Sequence, residues 1–328
     1  MNVMLLAAGE GTRLRPYTLT LPKPAMPFLN IPLAAHSLGF LDGVNVDKLV
    51  VNTFHLAPKI HSLFEGLPHG AKELIFSDEK GKILGSGGGL GNAREHFKGG
   101  RDFVMMNADE VILPKNSNVF NEAVNVHKKS HALATLMVKD HPGVGTQFGG
   151  VWVDADNKVL GFGKTALPGA VRAWHFIGVQ ILSEKVFDFI PAEGESNILY
   201  DALTTAIQQG HLVQAFPFEC TWFETGNPHD YLEATAECLK ILSSEPGPEK
   251  QRLQKVLSRF GAHSVVENKP EGIILKEPSA KISAFANVSG YTCVGKDAEV
   301  GDGCFLKNVV VYQGAKIIGT QDQDKIYL

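Results

Sequence analysis

The sequence predicts an α/β protein whose N-terminal part builds a mainly parallel mixed sheet and whose C-terminal part is a short parallel β-helix. Three observations predict it. Short apolar runs alternate with longer amphipathic stretches through the first half of the chain, the pattern of a parallel sheet flanked by helices. From Pro191 to Leu242 the pattern becomes mainly helical. Beyond Ala280 a six-residue period takes over, which matches neither the 3.6-residue helix nor the two-residue strand.

In chain order, strands are expected at Asn2–Ala8, Lys48–Asn52, Leu74–Phe76, Asp102–Met106, Ala134–Val138, Gly150–Val153 and Phe176–Ile181. Helix-like spacing is found at Pro32–Leu41, Ala57–Leu63 and Asn118–Ser130, and later at Leu199–Gln209 and Pro228–Leu242. Ser243 to Lys250 reads Ser-Ser-Glu-Pro-Gly-Pro-Glu-Lys, which breaks a helix and begins a connector. A short helix, Gln251–Phe260, is expected after it. The chain thus divides into 1–242, a connector over 243–268, and 269–328.

In the last part Ile282, Val288, Val294, Val300 and Leu306 recur every six residues, and Ala280, Ala286, Thr292, Ala298 and Cys304 stand two positions ahead of them. An inward aliphatic with a small corner residue makes each repeat one flat face of a triangular coil. Only about two coils fit, so the open end calls for a cap or a second chain, and a homo-oligomer, a dimer in the first instance, is expected.

Composition narrows the function classes. With 44% hydrophobic and 20% charged residues the chain can bury a sizeable core, and a net charge of -4 supplies no bulk attraction to nucleic acid or to an anionic membrane. Any polyanion must be gripped by a local site. Cys220, Cys238, Cys293 and Cys304 lack a CxxC pair and read as reduced thiols. Met1 to Ala8 is apolar but short and without a basic flank, unlike a signal peptide or anchor, so a cytoplasmic protein is expected.

The strand Asn2–Ala8 runs into Gly9-Glu10-Gly11-Thr12-Arg13-Leu14-Arg15-Pro16. Its glycines permit a tight backbone that aims N–H groups at an anion, and Arg13 and Arg15 add charged donors suited to phosphate oxygens. A lone Gly-x-Gly also fits an ordinary turn. A dinucleotide fingerprint would need a third glycine where Leu14 stands, and no Gly-Lys-Ser/Thr of a Walker loop is present. Leu21-Pro22-Lys23-Pro24-Ala25-Met26-Pro27 follows, with prolines expected to hold Lys23 in an extended, rigid segment that returns toward the same pocket.

Taken together, Leu6 to Pro27 resembles the sugar-phosphate nucleotidyltransferase family, with its Ala-Gly-rich turn, Gly-Thr-Arg-Leu-x-Pro-x-Thr and a later Pro-Lys-Pro. The wording is nearest to mannose 1-phosphate guanylyltransferases and N-acetylmuramic acid 1-phosphate uridylyltransferases. The resemblance implies a Rossmann-like nucleotidyltransferase domain followed by a left-handed β-helix. It implies transfer of a nucleotidyl group from a nucleoside triphosphate to a sugar 1-phosphate with Mg2+ as cofactor, Arg13, Lys23 and Asp109 being catalytic. Ala7, Ala8, Gly9, Gly11, Thr12 and Arg13 would hold the nucleotide, together with Asn107 and with Gly85 and Gly88 of a second Gly-rich loop, Leu84 to Leu90.

The resemblance continues along the chain. Met105-Met106-Asn107-Ala108-Asp109 ends a strand with a carboxylate, which could equally be a helix cap, and Thr221-Trp222-Phe223-Glu224-Thr225-Gly226-Asn227-Pro228 resembles the family's Trp-x-Asp-x-Gly motif. Asp109 and Glu224 would then be the metal ligands. Phe148-Gly149-Gly150 and Gly163-Lys164 are similar to the sugar-side segments, giving Gly149, Gly150 and Lys164 to the sugar phosphate.

Three positions depart from the family pattern: Glu224 replaces an Asp, Gly163 replaces the Glu of a Glu-Lys pair, and His175-Phe176-Ile177-Gly178 lacks the usual Asn. A catalytically silent paralogue that binds a nucleotide sugar is therefore the competing reading. An acyltransferase is disfavoured because the repeats carry no catalytic His. The histidines show no metal spacing and read as surface or packing residues, and Trp152, Trp174 and Phe176 read as core packing. Base and sugar stay open between GDP-mannose-type and UDP-sugar-type products.

Overall fold

The computed structural model describes residues 1–328. Strands β1 (Asn2–Leu6), β2 (Lys48–Thr53), β3 (Glu73–Asp78) and β4 (Phe103–Asn107) form a parallel block in the order β3-β2-β1-β4. A two-stranded pairing of β5 (Val111–Pro114) with a later strand lies outside the main sheet. Strands β6 (Ala134–Lys139), β7 (Gly150–Val153), β8 (Val159–Gly163), β9 (Arg172–Leu182) and β10 (Val213–Pro217) complete the nine-stranded sheet. The long β9 runs antiparallel to β4 and pairs with β7 through its first residues and with β6 further on.

The period of two is visible in the burial. Met4, Val50 and Met105 point into one core layer, while Val3, Leu5, Leu49, Val51, Val104 and Met106 point into the other, and all are buried. Helices α1 (Leu33–Phe40), α2 (Ala57–Gly66), α3 (Gly85–Asn92) and α4 (Val119–Ser130) connect the strands. The chain winds outward from β1 to β3 and then returns to place β4 on the other side of β1. That reversal opens a crevice at the carboxyl ends of β1 and β4, where open α/β sheets seat their ligands.

Several expectations are corrected. The stretch Pro191 to Leu242, read as mainly helical, also holds β10 and β11 (Cys220–Phe223), the latter antiparallel to β5. These runs are four or five residues long, too short for periodicity to separate strand from helix. The Gly-rich segment read as a loop is helix α3: Gly87 and Gly88 both donate to Ser196 O (2.7 and 3.1 Å), so a neighbouring loop, not propensity, holds it. The connector ends at Gly247, because Pro248 occupies the first turn of α6 (Pro248–Arg259), where its missing N–H costs nothing. It follows α5 (Pro228–Ser243), capped by Asn227 Oδ1 on Asp230 N at 3.0 Å.

Beyond α6, β12 (Val265–Lys269) pairs antiparallel with β13 (Gly272–Lys276). Then β13, β14 (Asn287–Val294), β15 (Phe305–Val311) and β16 (Gln321–Tyr327) stack in parallel, and the short strands Lys281–Ile282, Glu299–Val300 and Lys316–Ile317 form a second parallel sheet. Lys281 lies beside Glu299 and Asn287 beside Phe305, each 18 positions on. Ala280, Ala298, Cys304, Val294, Val300 and Leu306 are all buried between the sheets. The stacking outlasts the five repeats seen in the sequence, since Glu299 pairs with Lys316, 17 positions on. One dropped residue hides Val311 and Ile317 from a strict period of six.

Both parts share one core. Leu14, Met26, Phe28 and Ile31 from the N-terminal part pack with Leu275, Cys293, Val310 and Ile326, joined by Tyr231, Cys238 and Leu239 of α5. Asn30 Nδ2 lies within 3.0 Å of Ser264 Oγ and 3.2 Å of Val294 O, and Ile326 N donates to Tyr17 Oη at 3.4 Å.

Candidate active site

The loop after β1 is held from both sides. Ala108 N donates to Leu6 O at 3.1 Å, and Ala7 N donates to Asn52 Oδ1 at 2.7 Å, whose own amide donates to Glu79 Oε1 at 2.7 Å. Gly11 has φ +59°, and a Cβ there would lie 2.9 Å from Thr18 Cγ2, so the turn needs glycine on both counts. Thr18 Oγ1 donates back to Gly11 O at 2.8 Å. The 3-10 turn Thr12–Leu14 sinks Leu14 into the core and leaves Arg13 with 67% of its side chain exposed. Arg15, expected as a phosphate donor, is instead paired with Glu10 at 2.8 Å.

Lys23 opens a third 3-10 turn, Lys23–Ala25, after Thr12–Leu14 and Tyr17–Leu19, rather than lying in an extended segment: Pro22 before it is extended, and Pro24 fits the first turn of a helix. The turn brings Lys23 Nζ to 2.6 Å from Asp109 Oδ2 at the end of β4. Burial works against the ammonium charge, yet Asp109, Glu110 and Glu224 outweigh it and raise the pKa above the ordinary lysine value. Glu224 lies 3.9 Å from Arg13 Nη2, and any Cβ on Gly226 would run into both groups. Thr225 Oγ1 donates to Asp109 O at 3.4 Å, tying the Glu224 segment to β4.

These groups surround a pocket of about 270 Å³ lined by Ala7, Gly9, Gly11, Thr12, Arg13, Lys23 and Asp109, with Leu6, Pro24 and Gly226. Five of its ten lining residues come from the glycine loop and Leu6 from the end of β1, so several of the sequence-predicted residues do converge here. Others lie outside it. Ala8 is buried behind the loop, and Asn107 donates to Glu110 Oε1 at 2.8 Å. Gly85 and Gly88 face the 194–196 segment: a Cβ would lie 2.7 Å from Ser196 O at the former and 2.5 Å from Gly194 O at the latter. Gly150 pairs with Gly163 between β7 and β8, Gly149 lies next to it, and Lys164 is exposed just past β8.

Glu110 escaped the sequence reading. Its carboxylate accepts from Trp222 Nε1 at 2.7 Å and from Asn107, and burial, reinforced by Asp109 beside it, pushes its pKa up to about 8. The signal available was the adjacent acids Asp109 and Glu110 at a strand end, of which an alternating pattern buries one. Trp222 in turn packs in a group of rings with His141, Phe148 and His175, at centroid distances of 4.4 to 5.9 Å. Trp152 and Trp174 are packing residues, as expected; their indole N–H groups donate to Gly163 O and Asn157 Oδ1. His229, Asp230 and Glu233 do converge at the start of α5, a cluster that spacing had not suggested, but His229 and Glu233 are exposed and none of the three lines the pocket.

The donor set fits a hard divalent cation. Asp109 and Glu224 offer carboxylate oxygens, the ligands such ions take, each beside a single cation, Lys23 for the former and Arg13 for the latter. The site presents a tight glycine turn, the cationic Arg13 and Lys23 and the carboxylate of Asp109 around a small pocket, with Glu224 outside its lining but 3.9 Å from Arg13. Such an arrangement binds and neutralises phosphate.

A family model described as nucleotidyl transferase matches residues 2–241. The chain is 28% identical over 335 residues to a UTP--glucose-1-phosphate uridylyltransferase of Synechocystis sp., with 97% of this chain and 84% of that protein covered. It is 23% identical to a mannose-1-phosphate guanylyltransferase of Mycobacterium tuberculosis, covering 97% and 81%. Among solved structures, UDP-glucose pyrophosphorylase from Acinetobacter baumanii superposes with a TM-score of 0.61 at 18% identity, covering 79% of this chain and 99% of that one. That likeness is one of fold.

Proposed function

The chain belongs to the nucleotidyl transferase family, and on that premise we propose that it transfers a nucleotidyl group from a nucleoside triphosphate to a sugar 1-phosphate, giving a nucleotide sugar and pyrophosphate. The observation that carries the reading is the Lys23 to Asp109 pair at 2.6 Å on the lip of the glycine turn. It puts a retained positive charge and a metal-type ligand at the crevice between β1 and β4.

An oxygen of the acceptor phosphate attacks the α-phosphorus; the new P–O bond forms as the bond to the bridging oxygen of the β-phosphate breaks, and pyrophosphate leaves. The acceptor oxygen is already anionic near neutral pH, so no general base is required. What the protein must supply is alignment and charge neutralisation between two polyanions. In this reading the N–H groups between Ala7 and Thr12 seat the nucleotide, Arg13 takes the β- and γ-phosphates, and Lys23 takes the α-phosphate. Lys164, exposed at the end of β8, reaches for the acceptor phosphate. Asp109 and Glu224 would hold Mg2+, which supplies further charge neutralisation on the phosphates. The backbone at Gly85 faces Ser196, so α3 serves the base by bracing Asn52 and the Ala7 turn, Gly89 being packed on Asn52.

The C-terminal strands are read as a left-handed β-helix. Its exposed Phe285, Phe305 and Ile318 favour a second copy of the chain as their cover. A cytoplasmic setting suits four free thiols, and no helix is long and apolar enough to cross a membrane. The test is pyrophosphate release with GTP or UTP against mannose 1-phosphate or glucose 1-phosphate. Turnover with one pair is expected; binding of nucleotide sugar without turnover of any pair would instead favour the silent paralogue.

A further inference from the structure

His175 is 6% exposed, yet neither Nδ1 nor Nε2 has a hydrogen-bond partner. A buried imidazole nitrogen without a partner forfeits its hydration and receives nothing in return, and native structures seldom keep one without a purpose. Here both nitrogens of one ring are in that state.

Its surroundings indicate what is missing. The ring sits 4.4 Å from Trp222, 4.7 Å from Phe148 and 5.2 Å from His141, centroid to centroid. Trp222 is locked by its hydrogen bond to Glu110, the neighbour of Asp109, so this aromatic group adjoins the carboxylate end of the pocket. Local backbone puts it there. The register of β9 against β6 breaks between Phe176 and Gln180, and Gly178, at φ +75°, lets the strand press against Glu110 and Asn107 with no room for a side chain. Burial, with His141 and Lys139 nearby, holds the imidazole neutral, so it offers one N–H donor and one acceptor.

The position within the sheet selects the ligand. The glycine turn and its braces, Asn52, Glu79 and Gly89, lie on the β1–β2–β3 side of the crevice; His175 lies on β9, beyond β4 on the opposite side. A nucleotide held by the turn leaves the His175 side to the acceptor. A hydroxyl is both donor and acceptor, which matches a neutral imidazole, and the apolar C–H face of a pyranose suits Trp222 and Phe148.

We propose that His175 is a specificity-determining residue that hydrogen-bonds the hydroxyls of the acceptor sugar, reached when the Gly-containing segment 141–149 yields at Phe148. This rests on the nucleotidyl-transfer reading above. His175→Phe keeps a ring of similar size and removes both orphaned nitrogens. Its expected signature is opposed in two readouts. KM for mannose 1-phosphate (with GTP) or glucose 1-phosphate (with UTP), whichever pair the wild type uses, rises about tenfold or more while KM for the nucleotide stays within about twofold. Without ligand, the thermal midpoint holds or rises by about 2–4 °C.

His175→Gln, which restores a donor and an acceptor, should recover part of the sugar KM. An unchanged sugar KM in His175→Phe, equal rises for sugar and nucleotide, or a lowered midpoint with no rescue by Gln would each overturn the assignment and leave the transfer reaction standing. A wild type that turns over none of the pairs overturns the transfer reading, and this assignment with it.

Discussion

At the residue scale the site is a contest over charge. Lys23 keeps its proton because its carboxylate neighbours, Asp109 above all, outweigh its burial, and burial with Asp109 beside it pushes the pKa of Glu110 up to about 8. Arg13, Lys23 and Asp109 could be singled out in the sequence only together, through the order in which they resemble a family motif, because each alone fits an ordinary turn, a solvated loop or a helix cap; the structure brings all three to one pocket. Glu110 and His175 were not legible there, because their importance lies in what surrounds them: an indole N–H for one, no partner for the other. His36 shows the same dependence on context. It is buried with Nε2 3.1 Å from Phe28 O, and burial drives its pKa down to about 4. The folded state thus binds this proton more weakly than the unfolded chain, whose histidine titrates near 6.5. The contribution is fully present above about pH 6.5 and is lost as pH falls toward 4, by about 3 kcal/mol at the limit. Denaturant unfolding of wild type and His36→Gln at pH 7 and pH 4.5 should show a smaller acid loss in the variant; equal losses would refute the assignment.

At the scale of elements, the sequence read well where a pattern ran long and poorly where tertiary contacts decide. Strands β1, β2, β4 and β6 and helices α2, α4 and α5 lie close to their expected places, whereas β10 and β11 were absorbed into a helical region. The glycines of α3 look like a flexible loop because glycine is a weak helix former. Their absence of side chains is what lets the helix lie against residues 194–197 and Asn52. Gly88 carries a negative φ and gains nothing from being glycine except space. Gly88→Ala, improving propensity but placing Cβ 2.5 Å from Gly194 O, should therefore destabilise by about 1–3 kcal/mol in urea unfolding. A neutral or stabilising result would mean that α3 is not held by this contact. The hexad pattern was legible for five repeats and then lost, since one residue dropped after Leu306 breaks a strict period without breaking the stacking.

At the scale of the whole molecule, the C-terminal strands are the floor on which the segment Leu14 to Ile31, which carries Lys23, rests. Tyr17 and Asn30 flank Lys23 in sequence and both bond to the C-terminal part, while Leu14, beside Arg13, is buried in the core the two parts share. Asn30, at φ +67°, can be replaced by Gly without strain, so Asn30→Gly isolates the lost bridge; a destabilisation of about 1–3 kcal/mol in urea is expected, and none would mean the bridge is incidental. None of this coupling was readable from sequence, where the two parts show unrelated periods and a Pro/Gly connector between them. In the proposed reaction Lys23 and Asp109 act together on a nucleoside triphosphate. The most direct measurement is pyrophosphate release by Lys23→Ala and Asp109→Asn, each shown by circular dichroism to be folded, with the nucleotide and sugar phosphate the wild type uses. A loss of at least about a hundredfold in kcat/KM is predicted for both; turnover within about tenfold of wild type for either would contradict it.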